Sequence, residues 1–234
     1  MKEIHHFYHL YTGGQWKEAV DDHLNALINY GLYEKLKSFQ IGIVGEKENI
    51  ENVKKYLLEK NIKYTICNEE RSGYEQVTLN KLYEFSLQND GYVFYAHTKG
   101  STNLAADLHR KCMLYYNIYY WKEIQNLLDN KFDAIGCYYI KQSCSCGVHH
   151  INNEHLVHNV YNGNFWWIKL DVIKKGDYPG QEHRWRAEHY PLDHIYILPD
   201  FKFYDLRHMS CPELDWEYFR NHNNSHEHID LNNI

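Results

Sequence analysis

The chain has 234 residues, 44% of them hydrophobic, and a formal net charge of -6. This length and apolar content suffice for one well-filled core. Binding to nucleic acid needs a basic face that neutralises phosphates, so the acidic balance argues against a nucleic-acid partner. No window of about 18 apolar residues is present, which predicts no transmembrane segment.

The six cysteines and the amino-terminal segment bear on the compartment. The cysteines are scattered along the chain, and residues 1–6 lack the apolar core of a signal peptide. Reduced thiols without a secretory signal are typical of the cytosol. We therefore predict a cytoplasmic protein.

Strand-like and helix-like segments alternate through the first 140 residues. Short apolar runs predict strands at 4–11, 39–45, 62–67, 92–96 and 133–140. Apolar residues at helical spacing predict helices at 15–32, 48–60, 78–88 and 104–130, the last one broken near Asn117. Such alternation is typical of an α/β fold with a mostly parallel, Rossmann-like central sheet flanked by helices.

The pattern changes after residue 140. A polar segment at 141–162 is followed by a strand with adjacent tryptophans and a short helix at 170–175. No linker-like composition divides the chain, so we predict one domain over residues 1–220. Its halves are about 1–140 and 141–220, and the polar segment 221–234 is expected to be a loosely ordered tail.

The first strand ends in a turn that contains two glycines. Tyr11-Thr12-Gly13-Gly14 precedes a predicted helix, and such a turn lets backbone amides approach a nucleotide. A purely structural tight turn explains the glycines equally well. The dinucleotide fingerprint GxGxxG and the phosphate loop GxxxxGK[ST] are both missing, and we predict neither an NAD nor a haem cofactor.

A cationic turn follows the strand at 92–96. His97, Thr98 and Lys99 all carry groups that can bind phosphate oxygens, and Gly100 ends the turn. In an α/β sheet, ligands bind at the carboxyl ends of strands, so this turn predicts a site for an anionic ligand such as a diphosphate. Asp107 and Arg110 lie one helical turn apart, either as part of that site or as a surface ion pair.

The tryptophan strand suggests a sugar site. Trp166 and Trp167 point to opposite sides of a strand, so at most one of them faces a cleft and could stack on a sugar. Asn164 just before them could hydrogen-bond sugar hydroxyl groups. Two core tryptophans behind a polar strand start are the competing interpretation.

A carboxylate is needed if the reaction removes a proton from a sugar hydroxyl. Glu188 is our first candidate for this base, Glu182 the second and Asp193 the third. Membership of an ion pair is the alternative for each. The segment Cys144-Ser-Cys146-Gly-Val-His149-His150 fits the usual spacing of zinc ligands poorly and is predicted to be a polar loop.

Taken in order, these motifs resemble a group of small viral and bacterial glycosyltransferases with the GT-A fold. The group includes amino-terminal domains of chlorovirus glycan-building proteins and domains from bacterial capsule clusters. The resemblance runs from about Phe7 to His189. It rests on Phe7-Tyr-His-x-Tyr11, Gly14-x-Trp16-Lys17, Thr78-Leu-Asn-x-Leu-Tyr-Glu-Phe-Ser86, Tyr95-x-His97-Thr98-Lys99-Gly100, Asp107-x-x-Arg110, Gly163-Asn164-Phe165-Trp166-Trp167 and Arg184-Trp185-x-Ala187-Glu188.

The resemblance implies a GT-A-like single domain, a nucleoside-diphosphate sugar donor and a glycan acceptor. Glu188 would be the base of an inverting transfer. The resemblance implies that Asn164, Trp166 and Trp167 bind the acceptor. Donor binding falls to Tyr11, Thr12, Gly13, Trp16, His97, Thr98, Lys99, Asp107 and Arg110.

The metal site is where this chain departs from the GT-A pattern. Such enzymes usually carry Asp-x-Asp after this strand, whereas this chain has Ala96-His97-Thr98. Either His97 and a distant carboxylate hold Mn²⁺ or Mg²⁺, or Lys99 and Arg110 neutralise the departing diphosphate without a metal. Both alternatives stay open at this point.

The sequence therefore predicts a glycosyltransferase that moves a sugar from a nucleoside diphosphate to a glycan hydroxyl. Two other classes compete with this interpretation. A non-catalytic carbohydrate-binding module would use the tryptophan strand without binding nucleotides. A metal-dependent hydrolase of nucleotide sugars would bind a metal tightly and release free sugar.

Overall fold

The order of strands and helices is described by a computed structural model of the chain. It describes residues 2–102, 107–143, 157–180, 186–194, 198 and 200–206. Within these ranges the strands are β1 (Ile4–Tyr11), β2 (Leu36–Val44), β3 (Thr65–Glu70), β4 (Tyr92–His97), β5 (Ala134–Gly136), β6 (Tyr139–Ser143), β7 (Val157–Tyr161), β8 (Trp166–Lys169) and β9 (Phe203–Asp205). The helices are α1 (Trp16–Asn29), α2 (Lys47–Glu59), α3 (Gln76–Ser86), α4 (Asp107–Leu114), α5 (Trp121–Asn130), α6 (Leu170–Lys175) and α7 (Arg186–Asp193).

Seven of these strands form one central sheet in the order β3-β2-β1-β4-β8-β5-β9. The first four strands are parallel to one another, and their order is that of a Rossmann-like half. Strand β8 runs antiparallel to both of its neighbours, β4 and β5. Strands β6 and β7 pair separately as an antiparallel two-stranded sheet.

Helices cover both faces of the central sheet, because β4 sends alternate side chains into two apolar cores. Phe94 and Ala96 pack into the core that α1, α2, α4 and α5 cover. Val93 and Tyr95 pack into the core that α3, α6 and α7 cover. The predicted α/β class, a mostly parallel sheet flanked by helices, is confirmed. Within the described part of the chain, none of the helices is both long and apolar enough to cross a membrane.

The break predicted near Asn117 is confirmed. Helices α4 and α5 are separated by a π-helical turn, Tyr115–Tyr119, and Asn117 lies fully buried within it. Its side-chain Nδ2 donates to the Met113 carbonyl, 3.0 Å away, and its own carbonyl accepts from Trp167 Nε1 at 3.0 Å. The break thus ties the helical layer to β8.

One predicted strand is wrong in extent. The segment 133–140 is not one strand but two, because β5 ends at Gly136 and β6 begins at Tyr139. Tyr138 between them has a left-handed φ of 60°, which no extended strand allows. A Cβ atom at Gly136 would lie 2.6 Å from the Tyr161 ring. The last residue of β5 therefore packs directly against this ring, and a larger side chain would not fit there.

Histidines occupy an unusual share of the core around β1. His6 Nδ1 faces the Phe94 carbonyl at 2.9 Å, and His6 Nε2 faces His23 Nε2 at 2.7 Å. The carbonyl can only accept, so His6 donates from Nδ1 and accepts at Nε2 from His23. Burial lowers the pKa of His6 to about 3 and that of His23 well below its ordinary value. Both rings are therefore neutral.

Candidate functional site

The carboxyl ends of β1 and β4 meet at the point where the strand order changes direction. From β1 the chain passes through α1 to β2 on one side, whereas α3 leads to β4 on the other side. His9 near the end of β1 lies opposite His97 at the end of β4. In open α/β sheets this switch point is where ligands bind. The two turns singled out in the sequence both begin here.

The turn after β1 and the turn after β4 are joined by hydrogen bonds. The Tyr11 amide donates to Thr98 Oγ1 at 2.9 Å, and the Gln15 amide donates to the Ser101 carbonyl at 2.6 Å. Gly14 has a φ of +62°, and a Cβ atom there would lie 2.0 Å from the Ser101 oxygen. Only glycine fits at this contact, so the two turns form one platform.

Three of the residues predicted in these turns differ in accessibility. Tyr11 is 44% exposed, whereas Thr12 and Thr98 are buried. The Thr98 hydroxyl accepts a hydrogen bond from the Tyr11 amide, so it links the two turns of the platform. Gly13 lies beneath the Tyr11 ring, since a Cβ atom at Gly13 would come within 2.3 Å of it.

Lys99 is placed as a cation at the platform. Its side chain is half-buried, and its ammonium forms no ion pair with any residue in the described ranges. Its backbone carbonyl accepts from Arg110 Nη1 at 3.1 Å, which fixes the position of the turn. An unpaired ammonium at a switch point is suited to a phosphate group.

Arg110 is committed to internal ion pairs. It is 3% exposed, and its Nη2 lies 2.6 Å from Asp22 Oδ2 and also contacts Asp107. The expectation that Arg110 meets a diphosphate directly is not supported by this burial. Partial burial raises the pKa of Asp107, but hydrogen bonding from Lys111 and the Arg110 charge outweigh it, and the net shift is downward. Arg110 positions the Lys99 turn instead.

The divalent cation implied by the resemblance has one candidate cluster among the described residues. Oxygen atoms of Glu18, Asp22 and Asp107 lie within 4.8 Å of one another. The Arg110 guanidinium already binds both aspartates, and Lys111 lies 2.7 Å from Asp107 Oδ2. Two cations thus compensate the two aspartates, and only the exposed Glu18 is left without an ion pair among the described residues, which is too little for a divalent cation.

His97 is placed between a carboxylate and a carbonyl. Its Nε2 lies 2.9 Å from the Gly163 oxygen, and its Nδ1 lies 3.3 Å from Glu75 Oε1. Both ring nitrogens face acceptors, so neither offers a lone pair to a metal, and the expected role of His97 as a metal ligand is not supported. Glu75 and the Gly163 carbonyl thus hold the His97 ring at the end of β4.

Residues that the sequence did not single out complete this edge. Glu75 immediately precedes α3, and Thr78 in its first turn lies 2.8 Å from His9 Nδ1 through its hydroxyl. Burial lowers the pKa of His9 to about 4, which keeps the ring neutral. No local motif marks Glu75, because its partner His97 lies 22 residues later in the chain.

Asn164 and the two tryptophans belong to the core. Trp166 stacks on Tyr95 and Trp167 on Phe94, on opposite faces of the sheet, and both indoles are fully buried. The opposite orientation was predicted, but neither ring has a face open to a sugar. Asn164, 1% exposed, accepts from Trp166 Nε1 at 2.7 Å through Oδ1. Its side-chain oxygen thus holds the indole of Trp166, and its backbone N–H closes the turn to Tyr161. Sugar binding by these three residues is therefore not supported.

Two predicted groups belong to helices and not to the two turns. Trp16, at the start of α1, lines a groove between α1 and α2. Glu188 belongs to α7, which packs against α3 and β7 through neighbours such as Ala187. Asp193 ends the same helix. Glu182 and the Cys144–His150 segment lie outside the described residues.

Comparisons with known proteins give no family assignment. No family model matches the chain, and no curated protein matches it.

Several solved structures are similar in outline. A 4-diphosphocytidyl-2C-methyl-D-erythritol synthase from Anaerococcus prevotii is 11% identical, with 74% of each chain covered and a TM-score of 0.41. HddC from Yersinia pseudotuberculosis is 12% identical, with 87% of this chain and 88% of that chain covered and a TM-score of 0.42. Another 4-diphosphocytidyl-2C-methyl-D-erythritol synthase is 9% identical, with 88% of each chain covered and a TM-score of 0.42. At such low identities and TM-scores, nothing about the activity of this chain rests on these likenesses.

Proposed function

We propose that the protein is a glycosyltransferase that moves a sugar from a nucleoside diphosphate to a hydroxyl group of a glycan acceptor. The main observation behind this proposal is the position of Lys99, in the turn after β4. Its ammonium has no ion-pair partner among the described residues, and it stands at the switch point of a Rossmann-like half-sheet. In doubly wound α/β folds a diphosphate commonly binds at this switch point.

The platform supplies the remaining features that a nucleotide needs. The glycine turn after β1 brings backbone close to the edge of the sheet, and hydrogen bonds to the second turn hold it rigidly. Lys99 lies on that second turn and stabilises the negative charge that develops on the leaving diphosphate. No step in this proposal passes through a metal ion.

The transfer itself is a single displacement. The acceptor oxygen bonds to the anomeric carbon as the bond from that carbon to the diphosphate oxygen breaks, and the diphosphate leaves with the electron pair. A carboxylate takes the hydroxyl proton. The family resemblance favours Glu188 on α7 for this role. Glu75 is a second carboxylate at this edge of the sheet, held by His97.

A thermal-shift screen tests the proposal. Nucleoside diphosphates and their sugars are added with EDTA or with Mn²⁺, and one nucleotide series is expected to stabilise the protein in both conditions. At a hundred times the dissociation constant, a ligand of the folded state adds about 2.7 kcal/mol. Lys99→Gln is expected to weaken binding roughly 10- to 100-fold, the worth of a charged hydrogen bond.

Lys63→Gln is the matched control, since it removes the same charge from an exposed side chain away from the platform. No stabilisation by any nucleotide would contradict the proposal and leave the carbohydrate-binding module. Release of free sugar without an acceptor, dependent on a tightly bound metal, would point to the hydrolase.

A further inference from the structure

A groove of about 430 Å³ runs between α1 and α2, outside the platform. Pockets for small ligands fall in this size range and combine aromatic walls with a few polar groups. This groove has that composition, because its lining includes Trp16, Lys17, Asn49, Asn52, Tyr56 and Glu59.

The aromatic wall of the groove is held in place. The rings of Trp16 and Tyr56 meet edge to face, 5.3 Å apart at 87°. The Tyr56 hydroxyl donates to Asp21 Oδ2 at 2.6 Å, and Lys60 lies 4.6 Å from the centre of the Tyr56 ring. A ligand therefore meets a preformed surface and loses little free energy in ordering it.

Helix α2 presents a polar stripe beside this wall. Asn49, Asn52, Tyr56 and Glu59 follow one another at intervals of three and four residues, so they share one face of the helix. At 1.5 Å per residue the stripe is about 15 Å long. The amides of Asn49 and Asn52 and the carboxylate of Glu59 supply hydrogen-bond donors and acceptors along this stripe. A ligand with a row of hydroxyl groups needs both.

Trp16 carries a free hydrogen-bond donor. The indole nitrogens of Trp121, Trp166 and Trp167 all donate to protein oxygens. The indole nitrogen of Trp16 makes no hydrogen bond within the described part of the chain. The Lys17 ammonium lies 5.6 Å from the Trp16 ring and 5.3 Å from the Tyr56 ring, so a second donor stands over the same wall.

We infer that this groove binds a saccharide, the part of the glycan acceptor beyond the reacting residue; that identity of the occupant rests on the proposed function. Because Trp16 is 8% exposed, a sugar packs against the accessible edge of the aromatic wall, where the flexible Lys17 side chain moves aside, and its hydroxyl groups bond to the amides of Asn49 and Asn52, to Glu59 and to the indole of Trp16. The perpendicular rings form no parallel slot, so a planar nucleobase is not the expected occupant.

Fluorine NMR of the full chain labelled with 5-fluorotryptophan tests the inference without any donor present. The Trp16 resonance is identified by its loss in Trp16→Phe. The probes are trisaccharides of glucose, galactose, mannose, rhamnose and galacturonic acid, each at millimolar concentration. At least one of them is expected to shift the Trp16 resonance. Absence of a shift with all five would overturn the inference.

Trp121 serves as an internal control for this measurement. Lys122 lies 5.5 Å from the Trp121 ring, much as Lys17 lies over Trp16, but the Trp121 indole already donates to Tyr30. Its resonance is expected to stay in place. An equal shift of both resonances would mean a nonspecific effect of the sugar and would contradict the inference.

Variants of exposed groove residues give the energetic test. Asn52→Ala is expected to weaken binding of the active probe about three- to tenfold, the effect of one lost hydrogen bond. Asn126→Ala, on the exposed face of α5, is the matched control and keeps full affinity. Equal affinities for both variants would overturn the assignment to this groove.

Two results separate this inference from the proposed function. Sugar transfer to an acceptor without any Trp16 shift leaves the glycosyltransferase standing and overturns the groove assignment. A specific Trp16 shift without nucleotide binding supports the groove and contradicts the glycosyltransferase. A nucleotide that shifts Trp16 more than every saccharide assigns the groove to the donor and also overturns the inference.

Discussion

At the scale of single residues, two carboxylates, Glu188 and Glu75, are given different roles in the proposed reaction. Glu188 is the proposed base on the strength of the resemblance, while Glu75 is held 3.3 Å from His97 at the edge of the sheet. A base must accept a proton in the transition state, whereas a residue that positions a side chain at the binding edge acts on ligand affinity. These two roles predict different kinetics.

Glu188→Gln is expected to lower kcat by about 10²- to 10⁴-fold while donor affinity is kept, because the amide cannot accept the proton. Glu75→Gln is expected to weaken donor binding, because it removes the carboxylate that holds the His97 ring at the end of β4. Steady-state kinetics together with donor titration measure both effects, and Asp171→Asn on the exposed side of α6 is the control. Full activity of Glu188→Gln with an inactive Glu75→Gln would move the base to Glu75.

Asn164 is expected to act on stability and not on sugar affinity. Asn164→Gly keeps the left-handed φ of +60° accessible but leaves the Trp166 indole without its acceptor. A buried donor without a partner costs about 1–3 kcal/mol. Urea unfolding measures this loss. A variant of unchanged stability with weakened acceptor binding would restore Asn164 to the sugar site.

At the scale of elements, glycine turns decide whether the platform forms. Gly14 and Gly31 both have a left-handed φ, of +62° and +72°. At Gly14 a Cβ atom would also lie 2.0 Å from the Ser101 oxygen, whereas at Gly31 nothing lies within 4 Å. The pair therefore separates backbone strain from the contact between the two turns.

Gly31→Ala is expected to cost about 1–2 kcal/mol, the strain of a left-handed residue alone. Gly14→Ala is expected to cost more than this and also to abolish nucleotide binding, because the turns must separate to admit the methyl group. Urea unfolding and nucleotide titration of both variants measure the two effects. Equal losses in both variants, with binding kept, would mean that the turns are not coupled.

Local pattern was enough to predict most elements and the two turns of the platform. Residues 92–100 are one contiguous signal, an apolar strand that runs into a cationic turn, and nothing distant is needed to read it. The burial of Trp166 and Trp167 was not predictable in the same way. Alternation gives opposite faces, but whether each face is covered depends on α5 and α7, which other parts of the chain supply.

At the scale of the whole molecule, neutral histidines in the core tie stability to pH. His6, His9 and His23 are buried, and burial lowers the pKa of all three, to about 3 for His6 and about 4 for His9. In the unfolded chain a histidine takes up its proton near pH 6.5. Below that pH the unfolded state binds more protons than the folded state, so the free energy of unfolding falls as the pH is lowered.

The expected slope below about pH 6 approaches 4 kcal/mol per pH unit for these three histidines, at about 1.36 kcal/mol each. Urea unfolding between about pH 7 and pH 5 measures it. His9→Gln keeps a polar side chain toward Thr78 and is expected to reduce the slope by about one-third. A flat slope would mean that all three histidines are charged in the folded state, and a slope unchanged in this variant would mean that His9 is.

The orientation of β8 could not be read from the sequence. The alternation of strands and helices predicted parallel neighbours, but β8 lies between β4 and β5 and runs antiparallel to both. Parallel neighbours need a crossover, usually a helix, whereas the chain passes from β5 to β8 through the β6–β7 pair, with no helix between them among the described residues. The pairing of Glu75 with His97 was hidden for a similar reason, because it depends on where α3 lies.

The reversed direction of β8 separates two kinds of variation. Its first residues lie at the edge of the sheet where β1 and β4 end, and the Gly163 carbonyl there bonds to His97. Its last residue leads to Leu170, whose amide bonds to the Gly91 carbonyl at the far edge. Gly163, Asn164 and Phe165 are buried, and a Cβ atom at Gly163 would lie 2.3 Å from Met113 Sδ, so replacements at 163–165 act on the core and on His97 together, whereas replacements around Leu170 act at the opposite edge of the sheet. In evolutionary terms, this short connection is therefore expected to be as constrained as the platform beside it.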